Sequence, residues 1–209
     1  MIVKICGIKN KTTLFCCEKN SVNFFGMIFY NNSPRNISKE DAINLLALSK
    51  NLKIEGVGVF VDETIDHLNS FIKETNLTNI QLHGHEDNEY IRQLKKNKIR
   101  VIKKISIKSE HDLNTINMYP DADYYLFDYK PNKNELPGGN AKSFDWEIIS
   151  YLNTSKPWFL SGGVNLKNID HLTKNIKPFG VDLSSGVEKE LGIKDNRIIN
   201  NFIEKLNHA

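Results

Sequence analysis

Apolar residues in this chain fall into short runs that alternate with stretches of helical spacing, and the alternation persists along the whole sequence. The first run is Val3-Lys4-Ile5-Cys6-Gly7-Ile8; as a strand beginning at Ile2 it sets Lys4 and Cys6 on one face and Val3 and Ile5 on the other. Residues 10–18 then read as a helix and 22–29 as a second strand. Ser38 has the residue type of an N-cap, three residues before Asp41, and residues 42–48 supply the apolar stripe of the next helix. A third strand is expected at 54–61, followed by a helix with Ile65, Leu68 and Ile72 at helical spacing. Further strands are expected at 79–83, 100–105, 124–128, 157–160 and 179–183, with helices at 88–96, 109–117, 144–152 and 196–206. Pro157 stands at a strand start, where it is tolerated. The last helix gathers Ile198, Ile199, Phe202, Ile203 and Leu206 on one face.

Eight strands in alternation with helices within 209 residues imply a parallel sheet, and that number closes as a single-domain (β/α)8 barrel over residues 1–209. An open doubly wound sheet is the competitor, but no G-x-G-x-x-G follows the first strand. In a closed barrel Lys4 and Cys6 point inward, and the active site lies where the strands end. Cys6, His83 and Asp128 end the first, fourth and sixth strands, Arg35 lies in the loop after the second, and Ser161-Gly162-Gly163 and Ser184-Ser185-Gly186 follow the last two. Small residues there let backbone N–H groups approach phosphate oxygens. Taken alone, Cys6 also reads as a packed core thiol; beside a buried Lys4 ammonium the thiolate is favoured. Asp182, inside the last strand, is expected to support neighbouring barrel side chains.

Composition narrows the partners. The formal charge of +3 is small and the lysines are scattered, which argues against nucleic acid and suits a small anionic ligand. Cys6, Cys16 and Cys17 form neither a disulfide framework nor a C-x-x-C pair, so a reducing compartment is expected. No apolar run approaches membrane-spanning length, and a strand starting at Ile2 leaves no room for a leader; a cytoplasmic location without a membrane partner is expected. Nothing marks a partner surface, so a monomer is expected, with a homodimer left open. His83-Gly84-His85 with Glu86 and Asp87 can be read as a metal site, but a solvated helix start is the ordinary explanation of the residues after His83.

Lys4-Ile5-Cys6-Gly7, Gly26-Met27-Ile28-Phe29 with Ser33-Pro34-Arg35, Gly58-Val59-Phe60-Val61, Gln81-Leu82-His83-Gly84, Phe127-Asp128, and Gly180-Val181-Asp182-Leu183-Ser184-Ser185-Gly186-Val187-Glu188 occur in this order. That ordered set resembles the phosphoribosylanthranilate isomerase family over nearly the whole chain. The resemblance implies a TIM barrel that converts N-(5-phosphoribosyl)anthranilate to its 1-deoxyribulose isomer in tryptophan synthesis, by an Amadori rearrangement without cofactor or metal. It further implies Asp128 as general acid, Cys6 as general base and Arg35 as holder of the anthranilate carboxylate. Gly162, Gly163, Ser184, Ser185 and Gly186 fall on its phosphate turns, His83 is a further substrate-binding residue, and Lys4 and Asp182 support the site. Both titrating groups need shifted pKa values at neutral pH: Lys4 is expected to favour the Cys6 thiolate, and apolar neighbours such as Leu126 to keep Asp128 partly protonated. The chain departs from the family's G-G-[ST]-G-K loop at Asn140 and Ala141, which bears on how the long 130–142 loop closes, and has Leu191-Gly192 where Pro-Gly is usual. The alternatives are another phosphosugar barrel isomerase or epimerase, the epimerase needing metal ligands, and an inactive phosphate-ligand binding barrel, against which the presence of Cys6 and Asp128 argues.

Overall fold

A computed structural model describes residues 1–132, 138 and 142–209. Its strands are β1 (Ile2–Cys6), β2 (Phe24–Phe29), β3 (Glu55–Phe60), β4 (Asn79–Leu82), β5 (Arg100–Ile107), β6 (Tyr124–Tyr129), β7 (Trp158–Leu160) and β8 (Gly180–Leu183). Each pairs in parallel with its neighbours in sequence, and β8 pairs back onto β1 to close the (β/α)8 barrel that the strand count implied. Between them run α1 (Lys11–Lys19), α2 (Lys39–Ser49), α3 (Ile65–Thr75) and α4 (Asn88–Lys96), and α6 (Asn196–His208) follows the barrel, leaving α5 for the short turn Ile169–His171.

The helix starts are fixed by local side-chain chemistry. Asn10, Ser38, Thr64, Asp87 and Asp195 each accept a hydrogen bond from a backbone N–H of the first turn, and such a cap contributes about 1 kcal/mol. Two segments expected as α-helices are instead 3-10: Glu110–Met118 and Trp146–Tyr151. Their buried anchors, Leu113 with Ile116 and Trp146 with Ile149, lie three residues apart, the spacing that a 3-10 turn eclipses onto one line. The link from β7 to β8 passes through α5 into a π-helical turn, Leu172–Ile176, and after β8 a small antiparallel hairpin forms from β9 (Glu188–Glu190) and β10 (Ile193–Lys194). Neither was legible in the sequence, because each is only a few residues long.

Apolar side chains fill two regions. One lies between the barrel and its helices and includes Phe25, Phe127, Leu160 and Val181. The other plugs the lower barrel with Val57, Ile102, Leu126 and Phe159, against which Ile2, Phe24 and Tyr124 pack. Above that plug the interior turns polar, with Lys4, Gln81, Asp128 and Asp182 buried.

The β1–β8 register sets Lys4 beside Asp182, and the Lys4 ammonium lies 2.9 Å from both carboxylate oxygens at 0% exposure. Burial alone would pull Lys4 down, but the Asp182 carboxylate and the Cys6 sulfur raise its pKa above the ordinary value. Burial pushes Asp182 up against the pull of Lys4. Lys4→Met leaves Asp182 as an uncompensated buried acid, so it is expected to lower unfolding stability by about 3–5 kcal/mol. Chemical denaturation with an unchanged midpoint would contradict this.

Lys103 and Glu86 form a second buried pair, 2.8 Å apart, with Glu86 also accepting from the Asp62 and Gly84 backbone N–H groups. Glu86 therefore pins the turn after β4. The solvated helix start expected here holds for His85 and for Asp87, which caps α4, but not for Glu86, which is buried against Lys103. Among the described residues no three His, Cys, Asp or Glu side chains converge as a metal site.

Candidate active site

The strand ends deliver most of the expected residues to one cavity at the barrel mouth, which has two adjoining lobes. A polar lobe open to solvent is bounded by Gly162, Gly163, Ser184, Ser185, Gly186 and Lys142. A second, more apolar lobe is bounded by Cys6, Tyr30, Arg35, Val59, Gln81 and His83. Asp128, Asp182 and Ser184 border both lobes. Lys4 does not line the cavity; it lies beneath Cys6, paired to Asp182.

Gly162 and Gly163 have φ of +76° and +80°, a region that side-chain-bearing residues rarely enter, so this turn requires glycine. The turn lies against Asp128 and Ser143, where added Cβ atoms would come within 3.0 Å and 2.8 Å respectively. Ser184 is fixed from two directions: its hydroxyl donates to the Cys6 carbonyl at 3.3 Å, and Lys194 donates to its carbonyl at 3.0 Å. Lys142 reaches over the Tyr129 ring at the rim of the same lobe.

Cys6 is buried, and an added Cβ on Gly26 would stand 2.8 Å from its sulfur, so glycine on the neighbouring strand is what makes room for the thiol. Burial pushes the thiol up; Lys4 draws it down, Asp182 pushes it up again and Lys194 draws it down. The net direction is upward. Lys4 does favour the thiolate, as expected, but desolvation outweighs it and the Asp182 carboxylate opposes it, so the thiol is not lowered.

Asp128 is pushed up to about 6 by burial, against the opposing pull of Lys104 and of the Tyr129 N–H, which donates to Oδ1 at 2.8 Å. Leu126, two residues earlier on the inward face, belongs to the apolar plug beneath it. His83 Nε2 stands 3.7 Å from Asp128 Oδ2, and His83 Nδ1 is 2.9 Å from the Gln81 amide nitrogen.

Arg35, in the loop after β2 as expected, is 2% exposed, with Nε and Nη2 donating to the two oxygens of Glu188 at 2.8 Å each. Lys194 also donates to Glu188, at 2.6 Å, and the Gly192 N–H does so at 3.1 Å. Although burial pushes Glu188 up, Arg35 and Lys194 hold it below the ordinary carboxylate range. Burial in turn lowers Lys194 despite Glu188. The β9–β10 hairpin thus ties the loop after β2 to the turn after β8. Glu188, quoted from the sequence only as the end of the last motif, and Lys194 were given no role there, since Glu188's partner Arg35 lies 153 residues away. Gln81 and Lys104 were legible in principle, as polar residues in phase with His83 on β4 and with Ile102 on β5. The departures at Asn140 and Ala141 lie outside the described residues.

Cys16 and Cys17 play no part in this cavity. Cys17 is buried and its thiol is pushed up to about 12 by burial, and Cys16 packs at the α1–α6 seam with its sulfur 3.3 Å from Asn200.

Comparison with known proteins bears on what such a cavity does. Residues 3–205 match the family model described as N-(5'-phosphoribosyl)anthranilate (PRA) isomerase. The N-(5'-phosphoribosyl)anthranilate isomerase of Brucella canis is 39% identical over 211 aligned positions, covering 99% of this chain and 94% of that protein. The phosphoribosyl anthranilate isomerase of Thermus thermophilus superposes with a TM-score of 0.89 at 25% identity, covering 100% of this chain and 99% of the other. That of Thermotoga maritima gives 0.87 at 32% identity and full coverage of both. A third, solved in complex with reduced 1-(o-carboxyphenylamino)-1-deoxyribulose 5-phosphate, gives 0.83 at 30% identity, again with full coverage of both. The chain belongs to the N-(5'-phosphoribosyl)anthranilate isomerase family.

Proposed function

We propose that Cys6 and Asp128 are the base and the acid of this family's isomerisation in this chain. The carrying observation is Asp128, buried where the two lobes meet and titrating at about 6, a value that lets a carboxylic acid donate a proton near neutrality. Asp128 delivers its proton to the furanose ring oxygen as the C1–O bond breaks, leaving an iminium at C1. Cys6 takes the proton from C2, and the C–H electron pair forms the C1–C2 double bond of an enolamine. Tautomerisation then gives the amino-ketose. The polar lobe suits the phosphate, cradled by the Gly162-Gly163 and Ser184-Ser185-Gly186 turns with Lys142 at the rim. The second lobe suits the anthranilate ring, with its carboxylate directed at Arg35. Glu188 occupies the Nε–Nη2 edge of that guanidinium, so Arg35 offers the carboxylate a fixed positive charge rather than a swinging fork.

Lys4 and Asp182 support this arrangement from below. We take the chain to be a monomer; the Thermotoga maritima relative is described as dimeric, and sedimentation equilibrium separates the two. No helix among the described residues is long and apolar enough to cross a membrane, and we assign the chain to the cytoplasm. The reaction is tested by loss of phosphoribosylanthranilate fluorescence with EDTA present. Decay above the uncatalysed rate is expected; no excess decay would reject the assignment, and activity abolished by EDTA would favour a metal-dependent epimerase.

A further inference from the structure

Gln81 stands on β4 two residues before His83, so the two side chains project from the same face into the barrel. It is 1% exposed and borders the second lobe. Its Nε2 lies 2.9 Å from His83 Nδ1, while its Oε1 has no hydrogen-bond partner among the described residues. A buried amide oxygen left without a donor is uncommon, because it has given up its water and received nothing in exchange. Gln81 itself lines the second lobe, so a ligand entering there meets its side chain. With Nε2 donating to Nδ1, His83 is the neutral imidazole whose proton sits on Nε2, the nitrogen facing Asp128 at 3.7 Å. Turning the amide over would place Oε1 on an Nδ1–H and set the two Nε2 protons where Oε1 now is. In the orientation recorded, His83 satisfies the nitrogen end of the amide and the oxygen end is left for a ligand donor.

We propose that Gln81 is a substrate-positioning residue: its amide oxygen accepts a hydrogen bond from a hydroxyl or N–H of the bound substrate, while its other end holds His83 in the Nε2–H tautomer. The inference rests on the isomerase reading, whose substrate carries sugar hydroxyls and an aryl amine between its phosphate and its aromatic ring. A neutral amide can hold such a donor without adding charge beside Asp128, and as a side chain locked by His83 it does so with little loss of freedom on binding.

Gln81→Met keeps the side chain's length and removes both polar ends. Because the substitution also removes an unsatisfied buried oxygen, the ligand-free variant is expected to melt no lower than the wild type. Affinity for reduced 1-(o-carboxyphenylamino)-1-deoxyribulose 5-phosphate should fall about tenfold, or about 1.4 kcal/mol, with KM rising in step and kcat changing less. Inorganic phosphate, reporting on the Gly163 and Ser184 turns alone, should bind both proteins equally. Binding of the analogue within twofold of wild type would overturn the proposal. So would a lowered melting temperature accompanied by loss of phosphate binding, since Gln81 would then be a structural residue only. Should Gln81→Met not fold, Gln81→Leu serves the same comparison. A wild type that binds phosphate but not the analogue removes the isomerase reading, and this inference with it.

Discussion

Cys6→Ala is expected to lower kcat/KM for phosphoribosylanthranilate about a thousandfold or more while the barrel stays folded. Removing a positioned general base costs a factor of about 10² to 10⁴ in rate. The structural cost is far smaller, since one buried sulfur is lost, a deletion of about 1 kcal/mol. In a chain of this length that lowers the melting temperature by only about 2–4 °C. Gly26 leaves the neighbouring strand without a side chain at this point, so no larger group collapses into the cavity. Cys6→Ser should not rescue turnover, because a hydroxyl is too weak an acid to ionise where burial already pushes a thiol upward. The separation of the two effects is the test. Steady-state fluorescence kinetics giving more than about a tenth of wild-type kcat/KM for Cys6→Ala would remove Cys6 from the base role, whereas a large loss of melting temperature would mean that the thiol is chiefly a packing group.

The contrast between Cys6 and Arg35 indicates which parts of the site a sequence can carry. Strand periodicity is local, so the alternation of Val3, Lys4, Ile5 and Cys6 was enough to turn Lys4 and Cys6 inward together, and the count of such runs was enough for the closed barrel. Helix caps are equally local, as Ser38 with the Asp41 N–H illustrates. Arg35 could be placed after β2 but not oriented, because its orientation is set by Glu188 on a hairpin of five strand residues with no periodicity to reveal it. The ionisation of Cys6 was misjudged for a related reason. The sign of its shift is a difference between desolvation, which follows burial depth, and the pull of Lys4, which Asp182 opposes from across the β1–β8 register. Both terms arise from tertiary packing. The upward shift of Asp128 could be anticipated because burial dominates it and its apolar surroundings lie partly on its own strand.

Those two ionisations fix the pH dependence of the reaction and give Asp128→Asn its diagnostic value. The competent form carries a protonated Asp128 and an ionised Cys6, yet Asp128 titrates at about 6 and Cys6 above its ordinary value, so the acid ionises before the base. Below about pH 6 the thiolate fraction alone changes, and kcat/KM rises with pH. Between the two pKa values, gain of thiolate and loss of protonated Asp128 cancel, giving a plateau through neutrality. Above the thiol pKa only the loss of acid remains, and activity falls. The wild-type profile of kcat/KM, which reports the free protein's groups, should therefore break near 6 on the acidic side and, on the basic side, above the ordinary thiol range. Asp128→Asn keeps an oxygen to accept the Tyr129 N–H bond, so the turn after β6 should persist, while turnover falls about a thousandfold for want of an acid. Its residual activity should lose the plateau: with the acid factor gone, only the thiolate fraction remains, and the rate should climb steadily from pH 6 to the thiol pKa. A variant that retained the break near 6 would show that the break belongs to another group and that Asp128 is not the acid.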